Sequence, residues 1–271
     1  MSSTLKILDE SAYLNEELTE ITISEGVDIG ELKRIKEVSQ RFLQVNDFDL
    51  GDEPIIKDLS KDEFIEYIET KNNHSIIATK LNELSFNITF RSLMSNYYTH
   101  REDKDKKIFI FFLPDDSRTN SIGKTDFKKF ITLVFTLDCR EGVMISSKDL
   151  SPKSKEQLRN CNINPVECDD VYNIISYKDS DFIDITGHAF VPEVMKIYRC
   201  GKEETDLFIK ENKFNPTKLP RMLDTDPLNK FYRGQVGDIF QLKRKNLVNG
   251  NILEEQIAFR VVVPGIIKKG K

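Results

Sequence analysis

The sequence predicts a two-domain protein of mixed class, α+β overall, with an α/β layer in its larger N-terminal part. Helical and strand patterns alternate over much of the chain, which is typical of a central mixed sheet flanked by helices. Near the end, Asn249-Gly250 separates two strand patterns, and this dipeptide is the strongest short signal for a β-hairpin. The 271 residues, 39% of them hydrophobic, suffice for one large or two modest domains.

The N-terminal helices are predicted from apolar spacing and from capping. Between Glu31 and Val45, apolar residues recur every three to four positions, which indicates an amphipathic helix. We expect its polar face to be solvated or, alternatively, to face DNA. That face carries Lys33, Arg34, Lys36 and Arg41. Ser60-Lys61-Asp62-Glu63 is a capping box and predicts a second helix, through Ile68.

Six strands are predicted between residues 84 and 185, the last of them at the start of the C-terminal part. Ile108–Leu113 is almost continuously apolar, as in a strand that is buried on both faces. The other five are Leu84–Phe90, Ile131–Leu137, Gly142–Ile145, Val171–Ile175 and Phe182–Ile185. A helix beginning at Lys124 should precede the strand at Ile131, and Ser151-Pro152 should open another helix.

The C-terminal part combines short helices with the hairpin. A helix is expected over Glu203–Glu211. Asp226-Pro227 should begin a short helix, because aspartate caps free N–H groups and proline is favoured at the first helical position. Val236–Arg244 should form the first hairpin strand. The second hairpin strand is predicted from the alternation of apolar residues at Ile257, Phe259, Val261 and Val263.

Five motifs in this part occur in a fixed order. They are His188-Ala189-Phe190-Val191-Pro192, Leu219-Pro220-Arg221-Met222, Asp226-Pro227, Arg233-Gly234-Gln235-Val236 and Phe259-Arg260-Val261. In order and spacing they resemble the C-terminal domain of the fifth-largest subunit of eukaryotic RNA polymerases, a family that includes its archaeal counterpart. The segment between Pro227 and Arg233 is shorter than in that family and lacks its glycine, and Val194 stands where the family often has a histidine.

The N-terminal part is similar to the jaw domain of the same family, though by fewer residues. The order of its helices and strands fits, and Leu150-Ser151-Pro152 resembles the family's Ser/Thr-Pro helix start. The resemblance implies a jaw domain over residues 29–181 and a polymerase-assembly domain over 182–271. The archaeal counterpart lacks the jaw, so its presence points to a eukaryote or to a large DNA virus of eukaryotes.

The resemblance also implies a function. It is that of a non-catalytic subunit of a multisubunit DNA-directed RNA polymerase, acting in DNA-templated transcription. The assembly domain would dock on the largest subunit, and the jaw would lie near downstream double-stranded DNA, which it would contact without sequence preference. Catalytic residues and magnesium would belong to other subunits, so we expect no catalytic residue, metal or cofactor in this chain. Location would be the nucleus for a cellular protein, and a cytoplasmic viral factory or the virion for a viral one.

Two sets of residues are expected to make these contacts. The partner-binding set comprises His188, Pro192, Leu219, Pro220, Arg221, Asp226, Pro227, Arg233, Gly234 and Arg260. The DNA-proximal set comprises Lys104, Lys106, Lys107, Lys128 and Lys129. Arg221 could be an exposed ion pair or a planar interface anchor, and the resemblance favours the anchor. Arg260 could instead form a structural pair with Asp224 or Asp226.

Charge and composition limit the remaining classes. A net charge of −5 argues against a free-standing nucleic-acid binder. No apolar run approaches the length of a transmembrane helix and no signal sequence opens the chain, so we expect no membrane partner and an intracellular site. Residues 1–28 form an acidic extension, either a mobile tail or, through Ile21-Thr22-Ile23, an edge strand. The four cysteines lack zinc spacing and are expected to be reduced structural thiols.

Three alternatives involve other chemistry or other complexes. Gly123-Lys124-Thr125 is only half of a phosphate-binding loop, because Arg118 stands where the first glycine belongs. A metal-dependent nuclease would need Asp115 beside an acidic-x-Lys strand, and the nearest such tripeptide, Asp126-Phe127-Lys128, is expected on a helix. The third alternative is an adaptor protein that shares the assembly domain but acts outside polymerase.

Overall fold

A computed structural model describes residues 28–72, 76–115, 120–163, 173–186, 188, 191–248 and 251–265. The chain divides into two compact units, Met1–Ile183 and Asp184–Lys271. Almost all of the acidic extension lies outside the described residues, and the assignment of jaw and assembly roles stays a prediction. None of the described helices is long and apolar enough to cross a membrane.

The N-terminal unit is a helix-flanked sheet. Its described helices are α1 (Ile29–Val45), α2 (Lys61–Asn72), α3 (Ile76–Glu83), α4 (Phe90–Leu93), α5 (Lys124–Thr136) and α6 (Pro152–Ile163). Its described strands are β1 (Asn96–Thr99), β2 (Lys107–Phe112), β3 (Glu141–Ser146) and β4 (Asn173–Lys178). They are ordered β1-β2-β3-β4, with β1 antiparallel to β2 and the other pairs parallel. The predicted mixed sheet is therefore present.

Strand β2 lies in the middle of this core, as its apolar run predicted. Phe109 and Phe111 are fully buried, and the Phe111 ring stacks on Phe130 of α5 with 5.6 Å between centroids. The ring of Phe86, which follows α3, packs edge-on against Phe111 with 5.1 Å between centroids. These aromatic contacts fix α5 against the sheet, because each ring removes a large apolar area from water.

The strand predicted over Leu84–Phe90 is wrong. The Phe86 N–H donates to the Leu81 carbonyl and Ser85 adopts φ +55°, which closes the end of α3. Thr89 then caps α4: its hydroxyl accepts from the Ser92 N–H, and the Ser92 hydroxyl accepts from the Thr89 N–H. Two helix ends thus produce the apolar alternation that suggested a strand.

The strand predicted over Ile131–Leu137 is also wrong, because α5 continues without interruption to Thr136. Phe130, Leu133 and Val134 are all buried on one face, at helical spacing. Thr136 donates its hydroxyl to the Thr132 carbonyl one turn back, which accommodates a β-branched residue in the helix.

The strand predicted over Phe182–Ile185 does not form either. A short 3₁₀ turn, Asp179–Asp181, precedes irregular backbone there. The Phe182 side chain is fully buried against the ring of Tyr177, with 4.8 Å between centroids. The buried carboxylate of Asp179 forms a bidentate pair with Arg91, at 2.6 and 2.8 Å, so this turn is held by charge as well as by packing.

Lys36 corrects the expectation of a solvated basic face on α1, because its side chain is fully buried. Its Nζ lies 2.8 Å from the Tyr98 hydroxyl, 3.1 Å from the Met94 carbonyl and 3.4 Å from the Glu53 carboxylate. The Tyr98 hydroxyl in turn donates to Glu53 at 2.9 Å. Burial and the Glu53 charge raise the pKa of Tyr98 well above its usual value. Lys36 is thus part of an internal polar network.

The C-terminal unit is a second sheet with short helices. Its described elements are β5 (Glu193–Tyr198), α7 (Glu203–Glu211), β6 (Arg221–Leu223), α8 (Pro227–Phe231), β7 (Ile239–Val248) and β8 (Asn251–Val263). The strand order is β5-β7-β8-β6, in which β6 alone pairs in parallel. The predicted α7, α8 and hairpin are confirmed, while β7 begins three residues later than expected. Asn249-Gly250 lies outside the described residues.

Candidate functional site

The segment Pro220–Leu223 forms an exposed strip at one edge of the second sheet, and half-buried Leu219 precedes it. Pro220 and Arg221 are exposed, Met222 is buried at 2%, and Leu223 is 46% exposed. The alternation arises because Met222 points into the core, whereas the side chains before and after it point outward. Two predicted partner-binding residues, Pro220 and Arg221, are therefore accessible on regular backbone.

A capped turn fixes the end of this strip. The Asp226 carboxylate accepts from the Leu228 N–H at 2.9 Å and caps α8, and the Asp226 N–H donates to the Leu223 carbonyl at 3.0 Å. Asp224 accepts from the Gly265 N–H at 2.9 Å. Both carboxylates thus bind backbone, and the alternative of an ion pair between Arg260 and Asp224 or Asp226 does not form among the described residues.

Gly234 lies where the backbone folds tightly after α8. A Cβ at this position would lie 2.1 Å from Asn229 Oδ1 and 2.6 Å from the Phe240 ring, so only glycine fits. The buried Asn229 amide donates to the carbonyls of Asp224 and Gly234, at 3.1 and 3.0 Å. Arg233, which precedes this glycine, is buried with φ +55°. These two predicted partner-binding residues thus lie inside the corner that supports the strip.

Asp238 organises the same corner and was not predicted from the sequence. Its side chain is buried and accepts from Arg199 Nη1 at 2.9 Å, from the Cys200 N–H at 2.8 Å and from the Gln235 N–H at 2.9 Å. Its carbonyl accepts from the Val262 N–H at 2.8 Å. Asp238 therefore joins the end of β5 to the turn before β7 through its carboxylate, and contacts strand β8 through its carbonyl. The available signal was an aspartate within the strand predicted over Val236–Arg244.

The other predicted partner-binding residues are more dispersed. His188 is exposed and Pro192 is half-buried just before β5. Arg260 is half-buried on β8. The structure thus brings together the motifs around β6 and α8. His188 and Pro192 instead precede β5, the strand at the opposite edge of the sheet.

Three of the predicted DNA-proximal lysines contact groups of their own chain. Lys107 pairs with Asp138 at 3.1 Å, which raises the lysine pKa through a hydrogen bond and charge. Lys106 lies 3.7 Å from Glu141, and Lys129 donates to the Ser85 carbonyl at 3.0 Å. The two ion pairs offset the charges of Lys106 and Lys107 near a phosphate, and Lys129 would have to give up a hydrogen bond to reach one.

The five lysines do not form a single patch. Lys104 and Lys128 are exposed. Lys106 and Lys107 lie where β2 begins, whereas Lys129 lines a cavity beside Leu113, which follows the last residue of β2. The two groups are therefore at opposite ends of this strand.

That cavity is the place where phosphate-loop or nuclease chemistry would be sought. It has a volume of about 150 Å³, and its lining includes Asp115, Asp126, Lys129 and Ser147. Ser147 donates to the Asp115 carboxylate. Asp126-Phe127-Lys128 lies on α5 as expected, and the described residues contain no group of three metal-ligating side chains. Arg118 lies outside the described residues.

The described cysteines are free thiols. Burial raises the pKa of Cys139 to about 12, and it also raises the pKa of Cys161. Both thiols are thereby kept protonated, as expected of structural residues. Cys200 is exposed, and Cys168 lies outside the described residues.

Comparison with known proteins agrees with this geometry. Residues 183–262 match the family described as RNA polymerase Rpb5, C-terminal domain. DNA-directed RNA polymerase subunit Rpo5 of Sulfolobus acidocaldarius is 32% identical over 85 residues, covering 31% of this chain and 90% of the relative. DNA-directed RNA polymerases I, II, and III subunit rpabc1 of Dictyostelium discoideum is 22% identical over 164 residues, covering 60% of this chain and 77% of the relative. The chain belongs to the Rpb5 family of RNA polymerase subunits.

Proposed function

We propose that this chain is a non-catalytic subunit of a multisubunit DNA-directed RNA polymerase and acts in DNA-templated transcription. Its C-terminal unit docks on the largest subunit, and its N-terminal unit forms the lower jaw near downstream DNA. Its location is then that of its complex, the nucleus in a cell or the factory or virion of a virus.

The observation that carries the docking role is the size of the archaeal relative. A match of 85 residues covers 90% of that polymerase subunit. The family's C-terminal domain falls on residues 183–262, which is almost the whole of the C-terminal unit. A polymerase subunit of this size must contain its own means of joining the complex. The exposed Pro220–Leu223 strip supplies accessible arginine and apolar side chains, which are suited to an interface.

The jaw role rests on the N-terminal unit. The 164-residue match to the Dictyostelium subunit is longer than Asp184–Lys271, so the likeness extends into this unit. The net charge of −5 and the internally paired lysines favour weak, sequence-independent contact with DNA. The non-catalytic role is supported by Asp126-Phe127-Lys128, since a helix does not present these residues as a nuclease strand does.

Affinity purification of the tagged full-length chain from its native host tests the proposal. We expect the two largest polymerase subunits to be recovered in equal amounts with the chain. Recovery of a different stable complex would instead identify an adaptor outside polymerase. Magnesium-dependent cleavage of supercoiled DNA by the purified chain, lost in Asp115→Ala, would identify a nuclease.

A further inference from the structure

The outer edge of β6 carries backbone groups that are directed away from its own sheet. The Val261 N–H donates to the Pro220 carbonyl at 3.0 Å, and the Asp224 N–H donates to the Val263 carbonyl at 2.9 Å. In a parallel ladder, alternate residues of a strand bond to the same neighbour. Residues 220, 222 and 224 therefore face β8, and Arg221 and Leu223 direct their backbone groups outward.

The open edge is short and sharply bounded. β6 is the last strand in the described order β5-β7-β8-β6. On one side the Leu219 N–H already donates to the Pro216 carbonyl at 3.3 Å, and on the other the Leu223 carbonyl is already used by the Asp226 N–H. Within β6, three outward groups remain for a neighbour: the N–H and C=O of Arg221 and the N–H of Leu223. Their positions define a single register.

The opposite edge of the sheet is less suited to pairing. Strand β5 has a register shift between Val194 and Lys196, and such bulges disrupt pairing. Lys196 on this edge also forms an ion pair with Glu204 of α7. Proteins commonly protect edge strands with bulges and charged lysines. The contrast indicates that β5 is blunted, whereas the groups of β6 remain available.

The side chains beside the open edge indicate what kind of segment fits. Arg221 and Leu223 lie on the same face of the strand, and both are exposed. Arg221 has no ion pair within the described residues. An added strand would place an acidic residue opposite Arg221 and an apolar residue opposite Leu223, because cross-strand pairs of opposite charge and of apolar groups are favourable.

We propose that an extended segment of the polymerase partner adds to this edge as a further strand and pairs with the backbone of Arg221 and Leu223. This inference rests on the docking role proposed above and specifies its mode. Strand addition obtains affinity from main-chain hydrogen bonds and specificity from alternate side chains. The partner segment therefore carries an acidic and an apolar residue two positions apart.

Amide hydrogen exchange of the full-length chain, free and in purified polymerase, tests the pairing. Exchange is quenched and resolved to single residues by fragmentation mass spectrometry. We expect the Arg221 and Leu223 amides to exchange at least about tenfold more slowly in the complex. The Met222 amide faces β8 and serves as an internal control, protected in both states.

A pair of variants separates the backbone donor from the side chain. Leu223→Pro removes the outward N–H but leaves the bonds to β8, since edge strands tolerate proline. Leu223→Ala keeps the donor and removes the apolar contact. We expect Leu223→Pro to weaken polymerase binding roughly tenfold more than Leu223→Ala does, because it leaves a partner carbonyl without its donor. Melting of the free variants shows whether each folds, and if Leu223→Pro does not, exchange in the unmodified chain decides.

The outcomes distinguish the pairing from the function. If the chain purifies with polymerase but the Arg221 and Leu223 amides exchange as fast as in the free chain, strand addition is wrong and the polymerase role stands. If the chain does not purify with polymerase, the proposed function is wrong. In that case a polymerase segment cannot be the strand that adds to β6.

Discussion

Replacing Lys36 with methionine tests whether this lysine is part of the core. Methionine keeps most of the length of the side chain and removes its charge. The Glu53 carboxylate, whose side chain is only 5% exposed, would then lose its cation. The Tyr98 hydroxyl at 2.9 Å and the Asn96 amide at 3.0 Å would still donate to this carboxylate. The variant thus leaves a buried carboxylate that is hydrogen-bonded but lacks the Lys36 charge.

The expected loss follows from the cost of an uncompensated buried charge. Removing one partner of a buried ion pair typically costs about 3–5 kcal/mol of folding free energy. In a unit of this size, each kcal/mol corresponds to about 2–4 °C in melting temperature. We therefore expect Lys36→Met to lower the melting temperature by about 6–20 °C. A double variant, Lys36→Met with Glu53→Gln, should recover part of this loss because it removes the isolated charge.

Differential scanning calorimetry of the full-length chain measures this shift. Lys33→Met is the matched control, because Lys33 lies on the same helix and, among the described residues, its ammonium group donates only to the exposed Lys57 carbonyl at 3.3 Å. That control should change the melting temperature by no more than a few degrees. If Lys33→Met and Lys36→Met lower the melting temperature by the same small amount, Lys36 is not part of a buried network. Its side chain would then be solvated, as the apolar spacing predicted.

Three further outcomes are expected. Because the pKa of Tyr98 is raised in the folded state, its contribution to the free energy of unfolding is fully present below pH 10.0, the ordinary value, and decreases as the pH rises above it. The decrease is at most about 1.4 kcal/mol per pH unit. Urea unfolding from pH 8 to 11 should show a smaller decrease in Tyr98→Phe but not in Tyr97→Phe. Gly234→Ala should destabilise the C-terminal unit by about 1–3 kcal/mol because its Cβ meets Asn229, and adding Asn229→Gly should cost less than the sum of the two single changes. Fluorescence anisotropy should show weak duplex binding with a slope of log affinity against log salt of about −2, as for two phosphate contacts, whereas tight sequence-selective binding would contradict the jaw role.

Elements with a single dominant local signal were predictable from the sequence. The apolar run at β2, the capping box at Ser60 and the Asp226-Pro227 start of α8 each admit one favourable structure, and each is present. The alternating segments were ambiguous, because buried helix faces and helix ends also produce apolar residues at short intervals. Segment Ile131–Leu137 illustrates this, since its buried residues lie at helical spacing within α5.

Other features depend on distant partners and could not be predicted locally. Helical periodicity places Lys36 on the polar face of α1. Its side chain is nevertheless buried, because it bonds to Glu53 and Tyr98, which are distant in the sequence. Strand β6 has only three residues and exists because β8 pairs with it. Asp238 likewise gains its role from Arg199, which directly follows β5 and is 39 positions away in the chain. At the candidate site, the motifs name both Arg221 and Arg233 as partner-binding residues, but only the fold separates exposed Arg221 from buried Arg233.

The most direct test of the central claim is the affinity of the full-length chain for polymerase when Arg221 is replaced. We expect Arg221→Ala to weaken binding by about 1–3 kcal/mol, or roughly 5- to 150-fold, with its melting temperature unchanged because the side chain is exposed. Arg244→Ala, an exposed arginine on β7, is the matched control and should bind as the unmodified chain does. Arg221→Ala binding polymerase as tightly as the control would show that the docking surface lies elsewhere, and a much lower melting temperature would show that Arg221 stabilises the fold instead.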